Sequence, residues 1–225
     1  MFNHIRYDNV IEEPLERVEN DGVRFYKDSE GFFYKSVTTY LAKFGSKGLD
    51  SWRKAVGEEQ AKLTGRLAAK KGTNIHTACE KFLNNDADYK KHLFYDELMD
   101  WKELEPALKQ NLDNILCQEF RLKSKKLKLA GTVDCIAEVN GVLSVIDFKT
   151  SSRQKEPKDI PLYWLQCACY AVMMYEMYGI KIKQLCIVMV VNHSHVNIYK
   201  EESQKWIRRL LKLQQMDEET NAIKH

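Results

Sequence analysis

The dipeptide Asn140-Gly141 constrains the fold more than any other feature of this chain of 225 residues. Asn-Gly between two apolar, alternating segments is the strongest short signal for a two-residue β-hairpin turn, because both turn positions need a positive φ. The strands it would join cover residues 127–139 and 142–149. In the register set by this turn, Val139 faces Val142 and Asp134 lies directly opposite Asp147.

Two opposed carboxylates repel each other unless a cation lies between them, since directly opposed Cβ atoms are about 4.5–5.5 Å apart. Lys149 follows Asp147 by two residues and therefore shares its face of the strand. Oxygen ligands of this kind suit Mg²⁺ or Mn²⁺, and such an ion can polarise a phosphodiester. A nearby lysine can stabilise the developing charge. The alternative is a surface ion pair between Asp147 and Lys149 beside an unrelated Asp134.

Glu119 is a third acid that the strand pattern can bring to this place. If Lys125-Lys126 forms a second tight turn, Glu119 faces Thr132 and lies on the face of Asp134. The alternative is a charge that keeps an edge strand soluble.

Two residue pairs with helical i, i+4 spacing complete the set of candidates. His76 and Glu80 share one helix face, where His76 is either a metal ligand or a polar surface residue. Gln166 and Tyr170 share a face of an otherwise apolar helix. They either serve the site or form a buried hydrogen-bonding pair.

The whole pattern predicts an α/β fold in one domain, with helices on both sides of a mixed sheet. Residues 1–116 are expected to be mainly helical after a small hairpin over 23–34. This part is expected to contain a basic helix over 50–71, a break at Gly72-Thr73, a helix through Leu83, and helical structure over 86–116 around Pro106. Residues 117–200 are the sheet core with a helix over 162–178, and residues 201–225 are a C-terminal helix and loose tail.

Local charge is more informative than the net charge of +3. Residues 43–71 hold eight basic side chains against three acids, and residues 121–128 hold five basic side chains and no acid. We predict that DNA phosphates contact Lys62, Arg66 and Lys70, which share a helix face, and Lys125 and Lys126. The alternative is a solvated helix face and a soluble hairpin tip.

Cysteine spacing and the chain start bear on the compartment. The six cysteines are scattered without a CxxC pair, which predicts reduced core residues. No apolar run approaches 18 residues, and the acidic first 31 residues lack the pattern of a secretory signal. We therefore expect a cytoplasmic protein of a bacterial or phage-infected cell, without membrane association.

Four short segments resemble the motifs of RecB-like nucleases in the PD-(D/E)XK superfamily, in the same order and with approximately the same spacing. They are Gly72-Thr73-Asn74-Ile75-His76, Gly131-Thr132-Val133-Asp134, Asp147-Phe148-Lys149-Thr150 and Gln166-Cys167-Ala168-Cys169-Tyr170. Ser36-Val37-Thr38-Thr39, and Trp52 with Gly57-Glu58-Glu59, are further similar to the group of the mitochondrial genome-maintenance exonuclease and related phage exonucleases. The resemblance covers about residues 30–200.

This resemblance implies a restriction-endonuclease-like core, a central mixed sheet flanked by helices, with an N-terminal helical segment. It implies a Mg²⁺ or Mn²⁺ site with Lys149 as the catalytic lysine. The implied ligands are His76, Asp134, Asp147 and the carbonyl of Phe148. Gln166 and Tyr170 would join the catalytic set by positioning DNA or the lysine, and Glu80 and Glu119 would support the ligands or a second metal. An iron–sulfur cluster, which some relatives hold, is not expected, because Cys167 and Cys169 fall inside the last motif.

The function that the resemblance implies is a metal-dependent DNA exonuclease that favours single strands or ends, in replication, recombination or repair. Two alternatives remain open: a structure-specific or site-specific endonuclease, and a non-catalytic DNA-binding module on a nuclease fold. Only an endonuclease can cut circular single-stranded DNA. The intact Asp134, Asp147 and Lys149 argue against the non-catalytic module.

Overall fold

A computed structural model describes residues 1–45 and 54–222, with side chains through residue 220. The strands are β1 Leu15–Asn20, β2 Val23–Asp28, β3 Phe33–Ser36, β4 Leu112–Ser124, β5 Leu129–Val139, β6 Val142–Ser151, β7 Gln184–Val191 and β8 His195–Glu202. The helices are α1 Val37–Ala42, α2 Glu58–Leu83, α3 Tyr95–Asn111, α4 Pro161–Tyr178 and α5 Ser203–Ala222, with a short 3₁₀ turn at Pro157–Asp159. Trp52 and the predicted start of the basic helix at residue 50 lie outside the described residues.

The strands form one mixed sheet in the order β1-β2-β3-β5-β6-β7-β8, and β4 pairs with β5 beside this path. Two pairings are parallel, β3 with β5 and β6 with β7, and the others are antiparallel. The sheet therefore combines local hairpins with strands brought together from distant parts of the chain. This is the mixed α/β architecture that the sequence predicts.

Helices cover both faces of the sheet. One core lies between the sheet and α1, α4 and α5, and it includes Ile187 and Met189. A second core lies on the opposite face under α2 and α3, and it includes Cys186 and Val188. β7 is apolar along nearly its whole length because both of its faces are buried. In the described part of the chain, no helix combines the length and apolar character needed to cross a bilayer.

The β5–β6 hairpin has the predicted register. Val139 pairs with Val142, and the pairing continues to Cys135 and Ile146. Asn140 and Gly141 adopt φ values of 50° and 78°, as a two-residue turn of this kind requires.

Three expectations about the helical parts are wrong. α2 runs without a break through Gly72-Thr73, since a glycine inside a helix costs only about 1 kcal/mol, and its following turns, from Ile75 to Leu83, pack against the second core. Residues 86–94 are not helical, because α3 begins only at Tyr95; it ends at Asn111 with Pro106 inside it, and residues 112–116 belong to β4. α5 continues to Ala222, although a loose tail was expected from about residue 214. The N-terminal part also holds more strand than expected, since β1, β2 and β3 all join the sheet.

Candidate active site

The candidate site lies where the sheet opens between β5 and β6. The pairing of the two strands ends at Cys135 and Ile146, one residue before the predicted pair of Asp134 and Asp147. β6 remains paired with β7 beyond this point, and β5 remains paired with β4. The backbone N–H of Phe148 therefore donates to Asp134 Oδ2 at 2.9 Å instead of joining a strand ladder.

Asp147 is buried and bound by two side chains. Its carboxylate lies 2.7 Å (Oδ1) and 2.6 Å (Oδ2) from Lys149 Nζ. Gln166 Nε2 on α4 donates to Oδ1 at 2.9 Å. The alternative of an exposed ion pair does not fit, because the Asp147 side chain is only 2% exposed and that of Lys149 only 18%.

The charges of this pair are set by burial and by each other. Burial raises the pKa of Asp147, while the attraction of Lys149 acts in the opposite direction. Burial disfavours the charged form of Lys149, but the attraction of Asp147 and Asp134 outweighs it and raises the pKa of the ammonium group. Lys149 therefore carries its positive charge at neutral pH.

His76 reaches the same gap from α2, on the opposite face of the sheet from α4. Its Nε2 lies 2.7 Å from the carbonyl oxygen of Phe148, and its Nδ1 lies 3.5 Å from Asp134 Oδ2. The uninterrupted α2 makes this approach possible, because His76 lies well inside the helix and not at its start. The N–H and C=O of Phe148 do not pair with β5. They contact the Asp134 carboxylate and the His76 imidazole instead.

Glu119 is more central than its sequence position indicated, and its predicted partner is wrong. β4 and β5 are joined by a four-residue loop, with Ser124 paired to Leu129, so Arg121 faces Thr132. Glu119 falls opposite Asp134 in this register. Its φ of 44° is left-handed, which is uncommon and strained for a residue other than glycine.

The environment of Glu119 also alters its acidity. Although much of the residue faces the cleft, burial and then the nearby Asp134 carboxylate raise its pKa to about 7. Two acids held this close without a cation repel each other.

The donor set fits a divalent cation. Ligand atoms of His76, Glu119 and Asp134 all lie within 4.8 Å of one another, beside the Phe148 carbonyl. The carboxylate and carbonyl donors suit Mg²⁺ or Mn²⁺, and the imidazole is a donor that transition metals prefer. Asp147, which the resemblance also implies as a ligand, is not in this group of atoms, and Lys149 and Gln166 contact its carboxylate. Among the described residues, its buried Oδ2 contacts only Lys149 and has no well-directed hydrogen bond.

α4 carries Gln166, Tyr170 and Tyr163, of which Gln166 contacts Asp147. Tyr170 is buried, and its ring packs directly on the backbone of Gly131. Lys149 Nζ lies 5.0 Å from the centre of the Tyr163 ring. Tyr163 precedes Gln166 by three residues and Tyr170 by seven, so the helical period could have revealed it.

An open cleft of about 630 Å³ leads to His76 and Glu119. One wall is α2, whose lining residues are small or polar and include Glu80. The other wall is formed by Glu119, Arg121 and Thr132. The sequence placed Arg121 only in a basic hairpin tip, whereas here it lines the cleft.

The basic residues predicted to contact DNA fall into two groups. Lys62, Arg66 and Lys70, which we call the basic face, are exposed on α2. The helical period places Lys62 and Arg66 on the cleft side of α2, and Lys70 leans over the Phe94 ring at 5.1 Å. Lys125 and Lys126 lie in the β4–β5 loop, away from the acids of the candidate site. Lys125 pairs there with Glu30, at 3.1 Å.

Comparison with known proteins gives a family match and two structural likenesses. The family model for the PD-(D/E)XK nuclease superfamily matches residues 93–222. The fold is similar to a candidate exonuclease from Eubacterium rectale, with 14% identity, 71% of this chain and 70% of that chain covered, and a TM-score of 0.46. It is also similar to the protein SSO0001, with 16% identity, 64% and 74% coverage, and a TM-score of 0.31. No curated protein matches the sequence significantly.

The matched segment contains the acids, the lysine and the α4 residues of the site. His76 lies before it, on a helix that the family match does not reach.

Proposed function

This chain belongs to the PD-(D/E)XK nuclease superfamily, and from that premise we propose that it is a Mg²⁺- or Mn²⁺-dependent deoxyribonuclease acting as an exonuclease. The observation that carries the proposal is the convergence of His76, Glu119 and Asp134, two of which line an open cleft, with the Asp147–Lys149 ion pair two strand positions away on β6. The preference for single strands or ends rests on the resemblance to RecB-like exonucleases.

Each residue of the site has a distinct part in the proposed reaction. A divalent cation held by His76, Glu119, Asp134 and the Phe148 carbonyl would supply polarisation of the phosphodiester and a bound water of lowered pKa. Lys149 directs a fixed positive charge at the phosphate, where negative charge grows during hydrolysis. Asp147 holds this lysine.

Residues around the site support the reacting groups and the strand. Gln166 fixes the Asp147 carboxylate by its 2.9 Å hydrogen bond, so the lysine is oriented before substrate arrives. The α2 wall of the cleft carries small side chains, at Ala69, Gly72 and Thr73, so a phosphate backbone can approach it closely. The basic face continues this wall and would contact phosphates further along the strand.

The test is hydrolysis of end-labelled single-stranded and duplex DNA with Mg²⁺, with Mn²⁺ and in excess chelator. We expect mononucleotides or short products released from ends with either metal, and no hydrolysis in chelator. Full activity in chelator, or no activity with any divalent metal, would contradict the proposal.

Circular single-stranded DNA separates the exonuclease from an endonuclease. An exonuclease leaves an intact circle uncut. It degrades the same DNA once a separately introduced nick has opened the circle and created ends. Lys149→Gln should abolish hydrolysis, and Lys181→Gln, at an exposed lysine that lines a different groove, is its matched control. Cutting of the intact circle by the wild type, lost in Lys149→Gln, would replace the exonuclease by an endonuclease.

A further inference from the structure

The turn between β2 and β3 displays two adjacent phenylalanines among lysines, outside the cleft. We propose that Phe32, Phe33 and the lysines around them, which we call the aromatic–lysine patch, bind unpaired bases of a single-stranded nucleic acid. This inference rests on the proposed nuclease function and adds a second contact for the same strand.

The two rings are exposed and held in place. Phe32 and Phe33 are each 59% exposed. The turn that carries them is fixed by Asp28, whose Oδ1 accepts hydrogen bonds from the backbone N–H groups of Glu30 and Phe32. Its Oδ2 accepts from Tyr34 Oη at 2.9 Å. A fixed platform loses little conformational entropy when a base stacks on it.

Cations flank both rings. Lys125 Nζ lies 5.6 Å from the centre of the Phe32 ring, and Lys27 Nζ lies 5.6 Å from that of Phe33. Lys125 and Lys128 line a groove of about 330 Å³ with both rings. Lys123 pairs with Asp28 and Lys125 with Glu30, whereas within the described ranges Lys27 and Lys128 form no salt bridge, so their charges remain for phosphates.

This composition favours a single strand over a protein partner. Lysine is depleted in protein–protein interfaces, where aromatic residues are enriched. Aromatic rings interleaved with cations are instead the pattern that binds single-stranded nucleic acid, because every base has a face that can stack.

The patch lies along a path from the cleft. Arg121 lines the cleft and also the neighbouring groove, where it and Lys27 lie among the acids Glu16, Asp28 and Glu30 and the turn up to Gly31. Phe32 follows directly. The β5 residues from Leu129 to Asp134 span roughly 16 Å, so one strand can reach the patch and the metal ligands together.

The test measures binding in chelator, where the proposed hydrolysis does not occur, with a labelled oligo-dT and an abasic oligonucleotide of equal phosphate number. For the wild type we expect the abasic strand to bind roughly tenfold more weakly. The Phe32→Leu/Phe33→Leu variant keeps apolar side chains but cannot stack, and it should bind oligo-dT about as weakly as the abasic strand. Tyr7→Ala, at an exposed tyrosine outside these grooves, is the control and should keep the preference for bases.

The outcomes separate this proposal from the nuclease proposal. Wild-type affinity for oligo-dT in the double variant overturns the patch, whatever the hydrolysis assay shows. Equal binding of both oligonucleotides by the wild type overturns it as well. Loss of base-dependent binding in the double variant supports the patch, even if no metal produces hydrolysis.

Discussion

Gly131→Ala should destabilise the protein, because Tyr170 occupies the space where a side chain would lie. An alanine Cβ at this position would be 2.8 Å from Tyr170 Oη and 3.0 Å from its Cε1. Tyr170 is 3% exposed and cannot move aside without disturbing the core. Overpacking of this kind costs about 1–3 kcal/mol. For a chain of this size each kcal/mol lowers Tm by roughly 2–4 °C, so we expect a fall of roughly 2–12 °C.

The measurement is thermal unfolding in chelator, so that metal binding does not contribute. Tyr170→Phe removes the closest atom, so the double variant should recover part of the lost stability. Gly72→Ala is the matched control, because its Cβ would meet no atom within 4 Å and alanine favours a helix by up to about 1 kcal/mol. The reasoning fails if Gly131→Ala melts at or above the wild-type temperature, or if Tyr170→Phe gives no recovery.

Four other changes test the site and the fold. Lys149→Ala should reduce hydrolysis at least about 100-fold while leaving DNA binding in chelator nearly intact, as a rate assay and a binding titration would show. Mg²⁺ or Mn²⁺ at 100 times its Kd should stabilise the wild type by about 2.7 kcal/mol, and Glu119→Gln by much less, in denaturant titrations. Alanine at all three residues of the basic face should reduce the slope of log binding constant against log salt concentration by about 2 for single-stranded DNA. An unchanged slope would indicate that the basic face is only a solvated surface. Burial opposes ionisation of Asp28, but hydrogen bonds from Tyr34, the Phe32 N–H and Lys123 outweigh it and lower the pKa of its carboxyl. The ionised carboxylate therefore stabilises the fold above pH ~4, and this stabilisation is lost as the pH falls below that value. In Asp28→Asn the urea midpoint should fall less steeply with decreasing pH than in the wild type.

The sequence predicts those parts of the fold that local chemistry determines. Asn140-Gly141 fixes both the turn and the register, and the structure confirms that register from Val139 as far as Cys135. The end of α4 at Gly179 follows equally from a local requirement, a left-handed φ of 71°.

The sequence does not predict features that depend on distant contacts. Lys125-Lys126 resembles a tight turn, but the actual loop has four residues, which moves Glu119 from Thr132 to a place opposite Asp134. Gly72-Thr73 resembles a helix break, yet α2 continues through it and packs its following turns, from Ile75 to Leu83, against the second core. The parallel pairing of β3 with β5 leaves no local signal.

The opening between β5 and β6 makes a main-chain group of Phe148 part of the site, and this has a consequence for genetics. The Phe148 carbonyl beside His76 is present whatever side chain stands at position 148. A saturation screen would classify this position with ordinary core residues such as Val188, tolerant of apolar replacement and sensitive only to polarity. The contribution to hydrolysis that we propose for it would be detected by backbone replacement, such as an ester or thioamide linkage introduced by semisynthesis, and would remain invisible to side-chain mutagenesis.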